Sequence, residues 1–449
     1  MRVMKWSMIA LAVSAVGSQL AMAEPFVTSQ ADAPGFVEGA KAGVVLENYY
    51  FNRTKQDQNP NPAHRNKDAI SWTQGIRGKF SSGYTQGTVG VKVEGFGDAA
   101  YKLYARDDEG GTLNLPRNST NTGNDNSFGK AGADIAVRIS KTELKFGDFT
   151  PSTAPVFAFG TPRQFQMTAR GFQLQSSEIK DLDLDAGHFY ASSSEDNTTL
   201  QGNLFSQYGS TPIRSIDYVG GKYGINENLS VSLYGAKAED TWNQYYTNAN
   251  YTLPLATDQS LTFDFNLYRT TDTGAAKAGK ISNTAYSLAA SYAFLKAHTV
   301  TLAFQKINGN EPFDYIGAGD KNRGTESIFL SNSIEYSDFN APGERSLQAR
   351  YDIKMAEYGI PGLSFMARYA HGEGIDGTHM NSAYAASQSY GSNGHHFETN
   401  VEAKYVVQAG PLKDLSIRAR QAWHRANAAE SEGNVNDFRL IIDYPINFL

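Results

Sequence analysis

The sequence predicts an all-β protein, a transmembrane antiparallel β-barrel of about 18 strands with constriction loops folded into its lumen. Three observations predict it. Apolar and polar residues alternate with period two in segment after segment, the chain opens on a secretory leader, and no stretch is apolar enough for a membrane-spanning helix. Between Leu415 and Trp423, residues Leu415, Ile417, Ala419 and Trp423 share one face, while Ser416, Arg418 and Arg420 share the other. Side chains alternate across a strand, so the segment has one oily and one cationic face. The closing stretch repeats the pattern, with Phe438, Leu440, Ile442, Tyr444 and Ile446 opposed to Arg439 and Asp443, and it runs to Phe448-Leu449. A whole chain of such strands behind a leader fits a barrel that meets lipid outside and water inside, in a bacterial outer membrane.

Residues 1–23 read as the leader: Arg2 and Lys5 carry its charge, Met8 to Val16 its apolar core, and Ala21-Met22-Ala23 its cleavage motif. No Pro-rich linker or charge run divides the remainder, so residues 24–449 are expected to form a single domain. Candidate strands follow at Gly43–Phe51, Ile70–Phe80, Gln86–Phe96, Gly132–Ser140, Thr142–Asp148, Asp181–Ala191, Ile213–Tyr223, Asn228–Lys237 and Tyr245–Leu253. The series continues with Ser260–Arg269, Thr284–Phe294, Thr299–Lys306, Glu326–Tyr336, Arg345–Met355, Leu363–His371, His396–Val407, Asp414–His424 and Asn436–Tyr444.

Connections alternate in length. Tight turns such as Gly224-Ile225-Asn226-Glu227, Tyr358 to Gly362 and Gln408 to Leu412 belong at the periplasmic rim; long polar stretches such as Arg106 to Lys130 and Gly372 to His395 belong outside. Two connections differ. Phe149 to Pro162 is long, apolar and Pro-rich, a texture costly to expose, and is expected to fold into the lumen. Asn308 to Thr325, with Glu311-Pro312-Phe313-Asp314-Tyr315, is expected to meet it at a constriction. There Asp314 and Tyr315 read either as an acidic side that recognises a substrate amine or hydroxyl, or as a turn and packing anchor.

Composition removes several functions. The 449 residues contain no Cys, which excludes disulfide scaffolds and Cys-based metal or nucleophile sites. A formal net charge of −6 is unhelpful to nucleic-acid binding. No H-E-x-x-H or G-x-S-x-G pattern occurs, so no enzyme is expected. Asp107-Asp108-Glu109 offers a calcium or lipopolysaccharide-bridging cluster or, more simply, a solvated loop end. A secreted β-rich adhesin or glycan-binding protein is the competing class; it predicts no outward apolar bands.

Several blocks together resemble a known family, the OprD-like substrate-specific porins, or outer-membrane carboxylate channels, of pseudomonads. They include Pro155-Val156-Phe157 with Gly171-Phe172-Gln173-Leu174 and Glu178-Ile179; Lys306-Ile307-Asn308-Gly309 with Pro312 to Tyr315; Ser327 to Leu330 leading to Glu335 to Phe339; Gly359 to Leu363; Tyr405 to Gln408 with Gly410 to Ser416; and Arg439 to Pro445. The resemblance spans nearly the whole mature chain. It implies an 18-stranded barrel, monomeric or loosely associated, with no cofactor, set in outer-membrane lipid and lipopolysaccharide. It also implies a ladder of basic residues that guides a substrate carboxylate down the lumen.

Lumen-parity candidates for that ladder are Arg350 and Lys354, Arg368, Arg418 and Arg420, and Arg439, with Arg163 and Arg170 as further anion contacts in an eyelet built by the Pro151–Arg170 and Asn308–Thr325 loops. Guanidinium groups suit the task because each offers bidentate hydrogen bonds without losing its charge. Lumen carboxylates such as Asp352 and Asp443 are the competing partners, and Glu398 and Glu402 share the face of Lys404, a local departure from a purely basic wall. The implied function is passive uptake of small carboxylate solutes, monocarboxylates including aromatic ones, with a basic-amino-acid channel of the same family as the alternative.

Overall fold

The structure, a computed structural model, describes residues 25–56, 68–105, 110–118 and 123–449; the leader and Asp107-Asp108-Glu109 lie outside this range. Its strands are β1 Lys41–Lys55, β2 Ala69–Ser81, β3 Val89–Tyr104, β4 Ser127–Ile139, β5 Thr142–Phe149, β6 Thr168–Ser176, β7 Leu182–Ser193, β8 Ile216–Asn226 and β9 Leu229–Ala238. They continue as β10 Trp242–Ala256, β11 Gln259–Asp272, β12 Ser282–Phe294, β13 His298–Asn308, β14 Arg345–Lys354, β15 Leu363–Asp376, β16 Ser392–Val406, β17 Ser416–Ala426 and β18 Val435–Asn447. Each pairs antiparallel with its neighbours in the chain, and β1 closes the ring on β18 with Gly43 opposite Asn447. Closure leaves no sheet edge in hydrocarbon, where an unpaired backbone group has no water to serve it.

Alternation sorts the faces as expected. Val219, Leu233, Leu302, Leu347, Ile417 and Trp423 are exposed on the outside, whereas Arg368, Asn400 and Arg439 are buried inside. Seventeen of the candidate strands are present, most of them longer than the sequence pattern drew them. Two assignments differ. Glu326–Tyr336 is not a wall strand but part of the inward-folded connection between β13 and β14. Its backbone donors are served one by one by wall and loop side chains: Phe329 by Tyr268 Oη (3.0 Å), Ser331 by Ser287 Oγ (3.0 Å), Asn332 by Gln305 Oε1 (2.8 Å) and Tyr336 by Glu398 Oε1 (3.1 Å). Conversely, β6 occupies residues placed beyond the Pro-rich loop, with Phe172 and Leu174 exposed outward and Gln173 buried inward.

The main apolar core is built inside the barrel, between loops and wall. Phe157 and Phe159 are fully buried, and Phe157 stacks on Phe189 of β7 at 4.6 Å. Phe313 of the second loop packs on Tyr268 of β11 at 4.7 Å, and Tyr268 Oη donates to the Pro155 carbonyl at 3.2 Å. A third connection, between β7 and β8, also folds inward. Its Leu204–Ser206 and Pro212–Ile213 form a small sheet with Ile316–Ala318 and Arg323–Gly324, uniting two loops into one body. At the short-turn end, residues 26–30 lie across the mouth: the Phe26 and Val27 amides donate to Asp183 Oδ1 (3.0 Å) and Ser177 Oγ (3.1 Å).

Candidate functional site

The loops leave a lumen cavity of about 1250 Å³ whose two sides differ in charge. One side is the wall from β14 through β18 to β1. Strand register sets its pattern: Arg350 lies opposite Arg368, Arg368 opposite Asn400, Glu402 opposite Arg420, and Arg420 opposite Arg439. Arg350, Arg368, Arg418, Arg420, Arg439 and Arg163 all border the cavity, so six of the expected cationic contacts converge there. Arg53, which sequence parity alone did not single out, joins them. The guanidinium groups of Arg53, Arg163 and Arg439 stand 5.2, 5.3 and 5.1 Å from the ring of the buried Phe51, whose π-face holds them in one group.

Most of these arginines are already paired. Arg350 binds Asp352 through two bonds of 2.7 Å, and Arg439 binds Asp437, which also receives Arg53 at 2.7 Å. Arg420 contacts Glu402 at 3.0 Å and Glu335 at 3.3 Å, and Arg368 donates to Asn400 Oδ1 at 2.8 Å. The Arg418 side chain forms no hydrogen bond or ion pair among the described residues, and its charge acts on Glu47 of β1 without contact. Asp443 contacts Arg77 at 3.7 Å rather than a ladder arginine. Glu398 spends its oxygens on the amides of Tyr336 and Ser337 and on Asn400, which makes it a support for the inward loop.

Three expected contacts lie elsewhere. Lys354 is the exposed last residue of β14, at the short-turn end of the strand and away from the cavity. Arg170 belongs to β6, shares parity with the outward Phe172, and forms two hydrogen bonds of 2.8 and 2.6 Å with Asp148. Asp314 is the packing anchor of its alternative pair of readings: it is buried and accepts from the amides of Tyr208, Gly209 and Tyr315 and from Tyr384 Oη at 2.8–3.1 Å. Burial pushes its carboxyl up to about 6, against those four donors.

The acidic side of the cavity belongs instead to Asp338. Its Oδ2 accepts from Tyr208 Oη (2.9 Å) and Tyr315 Oη (2.7 Å), and its Oδ1 from Ser333 Oγ (2.6 Å). Burial and the Asp338 charge hold both phenols well above their ordinary range, so they remain donors. No Lys or Arg forms an ion pair with Asp338 among the described residues, and Tyr208, Tyr315 and Asp338 all border the lumen. Tyr315 was legible as a site residue. Asp338 and Tyr208 were not, because only the folded loops bring residues 208, 315 and 338 together.

Comparison with known proteins agrees with this architecture. The family model described as outer membrane porin, OprD family, matches residues 34–448. The chain is 54% identical to Porin D of Pseudomonas aeruginosa, with both proteins covered in full. It superposes on the crystal structure of Pseudomonas aeruginosa OprD with a TM-score of 0.82 at 51% identity, covering 95% of this chain and 100% of that one. A crystal structure of Pseudomonas aeruginosa OpdK with vanillate matches with a TM-score of 0.81 at 31% identity, covering 92% of this chain and 100% of that one. With its closed 18-stranded barrel and a lumen narrowed by inward loops, the chain belongs to the OprD family of outer-membrane porins, passive substrate-specific channels rather than enzymes.

Proposed function

We propose that this porin passes small solutes that carry a carboxylate together with a cationic group, basic amino acids above all. The observation that carries this reading is the pair of opposed sides: an arginine wall, and Asp338 held by three hydroxyls with no cationic partner among the described residues. A carboxylate binds the first side through bidentate guanidinium bonds, and an ammonium or guanidinium binds the second. A monocarboxylate without positive charge uses only the first.

Permeation is diffusion down a gradient. Paired arginines keep each contact weak, because an arriving carboxylate competes with Asp352, Glu402 or Asp437 for the same guanidinium, whereas Arg418 provides a rung with no carboxylate in hydrogen-bond contact among the described residues. Multi-site weak binding lets a solute enter readily and still leave. The test is planar-bilayer current with arginine and benzoate titrated separately against wild type and Asp338→Asn. Arginine should perturb the wild-type current at lower concentration than benzoate does, and Asp338→Asn should erase the arginine effect only. Benzoate acting alone would return the channel to the monocarboxylate class.

A further inference from the structure

On the same wall but apart from its arginines, a second cluster sits at the long-loop end of β16 and β17. His396 Nδ1 lies 2.7 Å from His424 Nε2, and ligand atoms of His396, His424, Glu430 and Glu432 all fall within 4.8 Å of one another. The far nitrogen of each ring is pinned by an oxygen: His396 Nε2 by Glu344 Oε1 at 2.7 Å, and His424 Nδ1 by the Gly433 carbonyl at 2.6 Å. Gly372 makes the first contact possible, since a Cβ there would meet Glu344 Oε1 at 2.0 Å and His396 Nε2 at 2.6 Å.

These acceptors fix the tautomers. A carbonyl only accepts, so His424 carries hydrogen on Nδ1; a carboxylate accepts, so His396 carries hydrogen on Nε2. The two inward nitrogens then share one further cation, either a proton, which makes His396 an imidazolium donating Nδ1–H to His424 Nε2, or a metal ion. A shared proton would satisfy the nitrogens alone. It would leave Glu432 Oε2, which is buried without a hydrogen-bond partner 3.6 Å from His424 Nε2, still unserved. No Lys or Arg pairs with Glu344, Glu430 or Glu432 among the described residues; the basic groups beside these carboxylates are the two imidazoles themselves.

We propose that His396, His424 and Glu432, closed by Glu430, form a binding site for a divalent transition metal of the zinc class. Two imidazoles and two carboxylates suit tetrahedral Zn²⁺, and imidazoles oriented by a carboxylate and a carbonyl behind them are the usual second-layer arrangement of such sites. Zn–N bonds of about 2.0–2.1 Å place tetrahedral nitrogens about 3.3 Å apart, so the rings separate by about 0.6 Å on binding. Glu432 and its neighbour Ser431 border the lumen, which supplies the entry path. A bound ion ties the connection between β17 and β18 to β16 and, through Glu344, to the base of the inward loop.

The experiment is a Zn²⁺ titration of the refolded, chelator-stripped full-length protein in detergent, followed calorimetrically, with bound metal counted after desalting. Wild type should hold one Zn²⁺ per chain, His424→Gln should hold none, and Glu432→Gln should bind about tenfold more weakly. Heat-modifiable gel migration reports whether each variant has folded. If His424→Gln fails to fold, the lumen-edge Glu432→Gln variant decides the location. Absence of a stoichiometric site in wild type, or Zn²⁺ held equally by wild type and a folded variant, overturns the assignment.

Discussion

Arg420 lies directly opposite Arg439 across the pair β17–β18, and the fully buried carboxylate of Glu335 stands 3.3 and 3.7 Å from their Nε atoms. Two like charges facing each other on one wall are tolerated because a residue from the inward loop stands between them. Glu335→Gln should therefore raise the anion-to-cation permeability ratio. It should also loosen the loop by about 3 kcal/mol, the usual scale for removing one partner of a buried ion group. Reversal potential under a KCl gradient reads the first effect and limited proteolysis of the loop the second; an unmoved reversal potential would take this pair out of the lumen field.

Arg418 and Arg439 should respond differently to truncation. Arg439 is buried in its pair with Asp437, so Arg439→Ala leaves that carboxylate with Arg53 alone and should cost about 3 kcal/mol, the lower end of the scale for a broken buried pair, lowering the yield of folded barrel. Arg418 has no such partner among the described residues, so Arg418→Ala should leave heat-modifiable migration unchanged and reduce carboxylate uptake. The double change Arg418→Ala with Arg420→Ala should lower anion preference further with the barrel still assembled. Unchanged uptake and reversal potential in the double variant would remove the ladder from the mechanism.

Phe157 holds the Pro-rich loop against β7 and is fully buried. Phe157→Ala should weaken that docking by about 3–5 kcal/mol, the usual cost of such a cavity. Because the wall ladder does not depend on the loop, the barrel should survive while single-channel conductance rises. Conductance equal to wild type would show that other loop contacts suffice.

Glu195, on the inward connection between β7 and β8, borders the lumen, and burial together with the neighbouring Asp196 charge pushes its carboxyl up to about 7. Lowering the pH from about 8 to about 6 therefore adds a proton and removes a negative charge from the cavity. Anion preference should increase across that interval in wild type and stay level in Glu195→Gln. A pH step of equal size in both proteins would assign it to another group.

Much of the barrel was legible because its cause is local. Period-two alternation in Ile417 to Trp423 or Phe438 to Ile446 needs no knowledge of partners: lipid on one side and water on the other dictate it. The same rule misplaced Glu326–Tyr336, where Ile328 and Leu330 satisfy an apolar cavity rather than lipid and the backbone bonds to side chains instead of a ladder. Thr168–Ser176 escaped because Arg170 breaks its outward face, a charge made tolerable by Asp148 on the neighbouring strand.

For the site, parity located Arg350, Arg368, Arg418, Arg420 and Arg439, since on a barrel strand inward direction follows from position alone. It placed Lys354 on the correct parity but could not tell where the lumen ends. It could not find Asp338, Tyr208 or Glu335, nor the meeting of His396 with His424 across paired strands. The sequence by itself determined a closed barrel with a basic wall, because alternation is imposed by solvent at each residue. Only the tertiary structure decided which carboxylates temper that wall and where an uncompensated one faces it, because loop packing inside the lumen joins residues far apart in the chain.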